Sequence, residues 1–139
     1  MVGQITEFLG SATARQELAD GRILLATALA DLQAMTATMT GYLMSSQGNA
    51  RELYRVGLES VRFLLAVGDL LIGWLLLHQA EIALDALDGD LPDRDRSFYD
   101  GKVAAANFFA NSVLPRLTAD RKIVEAVDLD VMDLREEAF

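Results

Sequence analysis

Cysteine is absent from the 139 residues, and histidine occurs once, at position 78. The first absence excludes a disulfide framework, a thiolate zinc site and a cysteine nucleophile, and it is compatible with a reducing compartment. The second excludes a metal site built on two histidines, and His78, one step beyond an apolar run, reads as a helix-face residue with a polar tip. Only two prolines interrupt the chain, and aromatic residues make up 7% of it although 52% is hydrophobic. Aliphatic side chains and alanine therefore supply the apolar mass, which suits helix packed on helix better than a sheet. Basic residues are also scarce. Twelve lysines and arginines against 21 acidic residues leave a net charge of −9, and a surface of that sign repels the phosphates of nucleic acid. No nucleic-acid partner is expected.

Further absences narrow the chemistry. No G-x-G-x-x-G, G-x-S-x-G or G-x-x-x-x-G-K-S/T pattern occurs, so the dinucleotide, hydrolase and P-loop signatures are missing. The segment from Met1 to Leu9 carries no basic residue and includes Glu7, unlike a signal peptide, and a cytoplasmic location is expected. The aspartate-rich stretch from Asp88 to Arg96 fails as a calcium loop: counted from Asp88, the sixth position is Asp93 instead of glycine and the twelfth is Tyr99 instead of glutamate. It reads as a solvated connector between helices.

What remains is helical periodicity. Leu25, Ala28, Leu32, Met35, Met39 and Tyr42 recur in steps of three and four and predict a helix over about 22–45, with Asp20-Gly21 breaking a shorter helix before it and Gly48 closing it in a left-handed conformation. Asn49 as N-cap with Glu52 three residues on predicts the start of a second, central helix, uninterrupted to about Leu87. A third is predicted from about Ser97, capped by Asp93 or Asp95, with Tyr99, Val103, Ala106, Ala110, Val113 and Leu117 along its stripe and an end near Ser112 imposed by Pro115. Thr118 reads as the N-cap of a fourth, to about Val127, and the tail with Val131, Met132, Leu134 and Phe139 as a docked strap. The expected fold is all-α: one domain over 1–139, an antiparallel bundle of about three long helices plus shorter terminal helices.

Within the central helix, residues 63–77 are apolar or glycine except Asp69. Fifteen residues fall short of the roughly 20 that span a bilayer, and a central carboxylate opposes insertion, so no transmembrane segment is expected. Arg55, Arg62 and Asp69 recur every seven residues and share a stripe with Ala66, Gly73 and Ala80, opposite Leu64, Leu71 and Leu75. Two readings follow. In one, the three leucines face the internal core and Asp69 sits in a wet groove or pairs with an arginine of the same fold. In the other, the stripe at Arg62, Asp69 and Gly73 meets another domain or subunit. The second reading gives a candidate interface of Arg55, Arg62, Phe63, Asp69, Leu70, Gly73, Trp74 and Leu77, and no catalytic, cofactor-binding or metal-ligating residue.

The unbroken run from Glu52 to Leu77, the pattern Phe98-Tyr99-Asp100-Gly101-Lys102 followed by Phe108-Phe109 and Val113-Leu114-Pro115, and the closing Met132 to Phe139 together resemble the extra C-terminal helical domain of a subfamily of acyl-CoA dehydrogenases. That resemblance implies an enzyme of fatty acid metabolism, a flavoprotein oxidoreductase that uses FAD to remove hydrogens across the α and β carbons of an acyl-CoA, with a glutamate base. Tyr99-Asp100-Gly101-Lys102 only echoes the family's base segment and inherits no role, and no two glycines adjoin anywhere to supply a flavin segment. The resemblance therefore implies a non-catalytic domain with no cofactor of its own, whose partners are the catalytic core of the same enzyme and a second subunit of an oligomer. The rival reading is a stand-alone helical interaction domain.

Overall fold

A computed structural model describes residues 1–11 and 15–138. Five α-helices follow one another: α1 (Val2–Leu9), α2 (Ala19–Ser45), α3 (Glu52–Leu87), α4 (Asp93–Ser112) and α5 (Arg116–Ala126), with 3-10 turns at Gln16–Leu18, Asp130–Asp133 and Glu136–Ala138. No strand occurs among the described residues. The short connections after α2 and after α3 return the chain antiparallel, and the side chains agree. Arg22 near the start of α2 pairs with Glu81 near the end of α3, and Lys102 of α4 reaches Gln79 of α3. The 36 residues of α3 make a rod of about 54 Å that touches α4 and α2 along its length.

Several boundaries differ from the sequence expectation, each for a local reason. Asp20-Gly21 does not break a helix. The turn at Gln16–Leu18 runs directly into α2, and Gly21 is internal because the space its missing Cβ would fill is taken by Leu77, whose Cδ2 lies 2.8 Å from that position. No described glycine has a positive φ, so α2 ends without a left-handed Gly48. Asn49 forms no capping box: its side chain accepts from the Arg51 amide at 3.2 Å, two residues on, and α3 begins at Glu52. α4 starts at Asp93, immediately after Pro92, with Asp93 and Asp95 in its first turn as charges near the positive helix end and not as side-chain caps. α4 stops at Ser112 as Pro115 requires, and Pro115 itself precedes α5, so Thr118 lies inside α5.

The core is built around the side of α3 that carries small residues. Ala66, Leu70, Gly73, Leu77, Ala80 and Leu84 are buried there against Leu25, Ala28, Leu32 and Met35 of α2 and Ala106 and Ala110 of α4. Leu64 and Leu75, which one of the two sequence readings turned towards the core, are 68% and 47% exposed. The orientation of α3 is thus the reverse of that reading. Both sides of this helix are apolar, so hydropathy does not decide between them. Side-chain volume does, because alanine and glycine let neighbouring backbones approach while the leucines between them fill the gaps.

Polar ties hold the shorter helices on. Asp31, buried on α2, accepts from the Thr118 hydroxyl at 2.6 Å and from Arg121 at 3.3 Å, fixing α5. Arg22, also buried, donates to the Phe8 carbonyl, pairs with Glu81 and lies over the Phe8 ring, 4.4 Å from its centre, so one guanidinium fastens α1 to α2 and α3. The tail is held by polar contacts and not by its apolar side chains. Arg55 donates to the Val127 carbonyl and Arg51 pairs with Asp133, while Val131, Met132 and Leu134 are exposed. The expected part of Phe139 in a strap lies outside the described residues.

Glycines on α3 give one test. A Cβ at Gly73 would lie 2.7 Å from Leu114 Cδ2, and Leu114 is buried with little room to yield, whereas Gly68 has nothing within 4 Å. Gly68→Ala is expected to stabilise the chain by up to about 1 kcal/mol through helix propensity. Gly73→Ala is expected to lower stability, because overpacking of about 1–3 kcal/mol outweighs that gain. Denaturant melts of the two variants should move in opposite directions.

A second test uses acid. Arg15 donates to Asp88 at 2.7 Å and to Asp85 at 3.2 Å, tying the start of the α2 segment to the end of α3. The hydrogen bond from Arg15, reinforced by its charge, holds the Asp88 carboxyl below the ordinary aspartate value. A depressed carboxyl contributes stability that is present above the ordinary aspartate range and lost as pH falls through the lowered value. Carbon-detected NMR titration of Asp88 should show the depression, and Arg15→Gln should return the midpoint towards the ordinary value.

Candidate interaction surface

The eight residues singled out from the sequence do not form one surface. Leu70 and Leu77 are 0% exposed and Gly73 is buried under Leu114, so these three belong to the internal core and not to an external apolar face. Arg55 and Arg62 are internal staples. Arg55 pairs with Glu52, donates to the carbonyl at the end of α5 and lies 5.5 Å from the Tyr42 ring centre. Arg62 donates to Glu59 of its own helix at 2.8 Å and to Asp120 of α5 at 2.9 Å, and these hydrogen bonds, to Asp120 first and then to Glu59, raise its pKa. Phe63 and Trp74 are half-buried at the margin of the core. Asp69 is half-buried and has neither hydrogen bond nor ion pair among the described residues.

The exposed apolar residues lie on the opposite side of α3. Leu58, Val61, Leu64, Leu65, Ile72, Leu75 and Ile82 are all at least 40% exposed and repeat at helical spacing along one stripe. Gly57 and Gly68 lie in the same stripe with open space where a Cβ would stand. On the neighbouring α4, Phe98 and Phe108 are 59% and 72% exposed. Sequence reasoning passed over this face because it assigned the leucines to the core. The sequence offered no signal for it, since glycines lie on both sides of α3, Gly73 packed against Leu114 and Gly57 and Gly68 open.

A cavity of about 410 Å³ lies between α1 and α3, where Glu7, Phe8, Trp74, His78 and Glu81 line it. His78 packs edge-on against Phe8, with centroids 5.8 Å apart, and its Nδ1 is 4.0 Å from Glu81. The indole Nε1 of Trp74 is buried without an acceptor. Two carboxylates make this cavity unfavourable for a pyrophosphate. No group of three metal-ligating side chains is found among the described residues.

A sequence profile described as acetyl-CoA dehydrogenase C-terminal like matches residues 1–135. The chain belongs to this family. It is 53% identical over 137 residues to the broad-specificity linear acyl-CoA dehydrogenase FadE5 of Mycobacterium tuberculosis, an alignment that covers 99% of this chain and 22% of that protein. A butyryl-CoA dehydrogenase of Syntrophomonas wolfei is 35% identical over 85 residues, 60% of this chain and 14% of that protein. The chain therefore spans about a fifth of the length of its curated relatives, and the all-α domain is the C-terminal domain of acyl-CoA dehydrogenases.

Two helical stretches, 16–45 and α3, are long and apolar enough by length and composition to cross a bilayer. In α3 only 22% of its most apolar window is buried inside the fold. An aliphatic face of that extent is more than scattered surface leucines explain, and a large contiguous patch marks a contact surface.

The two faces separate in mutants. Leu64→Lys is expected to change the stability of the isolated chain by no more than about 0.5 kcal/mol, while Leu70→Ala should cost about 2–5 kcal/mol. Equal destabilisation by both would place Leu64 in the core.

Proposed function

We propose that the chain is the non-catalytic C-terminal helical domain of an FAD-dependent acyl-CoA dehydrogenase, that it packs on the catalytic core of that enzyme and that it supports assembly with a second subunit. The observation that carries this reading is the outer face of α3, an aliphatic stripe uncovered in the fold of a chain that is 53% identical to one fifth of a dehydrogenase. A contiguous apolar patch of this kind marks a surface that a partner covers. The remaining four fifths of such an enzyme is the nearest cover.

The residues present do not fit a flavin. The cavity beside Trp74 is lined by Glu7 and Glu81, whose charge opposes the pyrophosphate of FAD, and no glycine-rich segment offers it backbone amides. The flavin, which would accept the β hydride, and the base that would take the α proton of the acyl-CoA accordingly belong to the catalytic core. What this chain contributes is surface. The acidic charge accords with the absence of a nucleic-acid partner.

The purified 139-residue chain is expected to be colourless and unable to reduce an electron acceptor with acyl-CoA, whereas the complete polypeptide that carries it binds FAD and does both. Stoichiometric FAD on the chain alone would refute the assignment. So would a complete polypeptide that neither binds flavin nor oxidises acyl-CoA, which leaves a helical interaction domain as the function.

A further inference from the structure

We propose that the outer face of α3 seats a protein surface of the larger enzyme that is apolar except for one basic side chain, and that this side chain pairs with Asp69. The proposal rests on the reading of the chain as a domain of a larger enzyme, and it names the chemistry of the surface that covers it.

The fold matches its other shielded carboxylates. Among the described acidic residues that are not fully exposed, Asp31 meets Arg121, Glu52 meets Arg55, Glu59 and Asp120 share Arg62, and Glu81 meets Arg22. Asp69 is the exception, half-buried with no partner. Apart from His78, it is also the one acidic or basic residue between Arg62 and Glu81.

Its position says when a partner is needed. One turn away on either side stand Leu65 and Ile72, both on the exposed stripe, and beside it Gly68 leaves open space. Asp69 is therefore at the rim of the aliphatic stripe, where water still reaches it in the isolated domain. Covering the stripe removes that water. A carboxylate shut in without a counter-charge is forced to take up a proton or opposes the contact, so a well-fitting surface supplies a cation at that point.

The same reasoning selects among possible covers. A second copy of this face brings the cations of α3, but Arg55 is engaged by Glu52 and Val127, and Arg62 by Glu59 and Asp120. An anionic membrane is opposed by Asp69 itself and by a net charge of −9. A different protein surface with a free arginine or lysine satisfies both the aliphatic stripe and the carboxylate, and in a longer enzyme it is present on the same polypeptide.

The test uses the complete polypeptide, with the isolated chain as reference. Because the chain has no cysteine, Leu64→Cys introduces a thiol whose alkylation by a maleimide, located by peptide mass spectrometry, reports cover over the stripe. Labelling is expected to be fast in the isolated chain and severalfold slower in the complete polypeptide. Adding Asp69→Asn should recover part of the fast labelling and Asp69→Lys most of it, while circular dichroism melts of the isolated chain stay unchanged. Should Asp69→Lys perturb the fold, Asp69→Asn decides. Equal labelling in both settings overturns the docking face, and protection indifferent to Asp69→Asn overturns the ion pair. Protection of the isolated chain that grows with its own concentration, or that appears only on phosphatidylglycerol vesicles, overturns the choice of occupant in favour of a second copy or a membrane. Flavin content and acyl-CoA oxidation of the complete polypeptide are scored separately, so failure of the dehydrogenase reading is not confused with failure of the face.

Discussion

The closeness with which α3 approaches its neighbours is the constraint from which the remaining structure follows. At Gly73 the missing side chain is replaced by Leu114 from beyond the end of α4, and at Gly21 by Leu77 from α3 itself. Ala66, Ala80 and Ala83 continue the narrow side of α3, and Ala106 and Ala110 answer it from α4. Helices packed through small residues place their backbones near enough for the intervening leucines to interdigitate, which gives a dense core from few large side chains. Aromatic residues are scarce in this core, with Phe8 buried and Phe63, Trp74 and Phe109 only partly so, in keeping with their low share of the composition.

Once the narrow side is turned inward, the broad side of α3 is necessarily outside. A helix whose aliphatic residues run all the way round can be covered on every side only at the centre of a larger assembly. Here α2, α4 and α5 cover one side of it, and the other, from Leu58 to Ile82, is left aliphatic. The helix is built as the centre of something bigger than this bundle. Membership of the acyl-CoA dehydrogenase C-terminal family, in chains about five times as long, supplies a context of the right size.

Much of this fold was legible in the sequence. The class, the long helices, the stop at Ser112 before Pro115 and the end of α3 near Leu87 all follow from periodicity and the positions of the prolines. The helix starts were less legible, since Asn49, Asp93, Asp95 and Thr118 are all good capping types and none makes a side-chain cap. For Asp93, Asp95 and Thr118 the boundary is set instead by the proline that precedes the helix, Pro92 before α4 and Pro115 before α5. The facing of α3 was illegible for a deeper reason: hydrophobic pattern separates inside from outside only when one side is polar, and on α3 neither is. Arg55 and Arg62 misled in the same way. Charges in register with Asp69 suggested one functional stripe, yet the two arginines are consumed by α5 and the tail, and Asp69 alone is left over.

That residue points to how the charge of the chain is distributed. Arg15, Arg22, Arg51, Arg55, Arg62, Arg121 and Arg135 are each engaged by a carboxylate, and Arg96 by the Leu87 and Gly89 carbonyls. The fold thus spends most of its few cations on closing itself, at the start of α2, at the ends of α3 and along α5. Its surplus of acidic groups remains outward, on the α3 to α4 connector and on the tail. A body that is internally matched and externally acidic, with one uncharged aliphatic face, repels copies of itself everywhere except at that face. Charge repulsion between like bodies acts over about 8–10 Å at physiological salt, beyond the reach of apolar contact, so a basic surface has the advantage over a second copy before the aliphatic stripes ever meet.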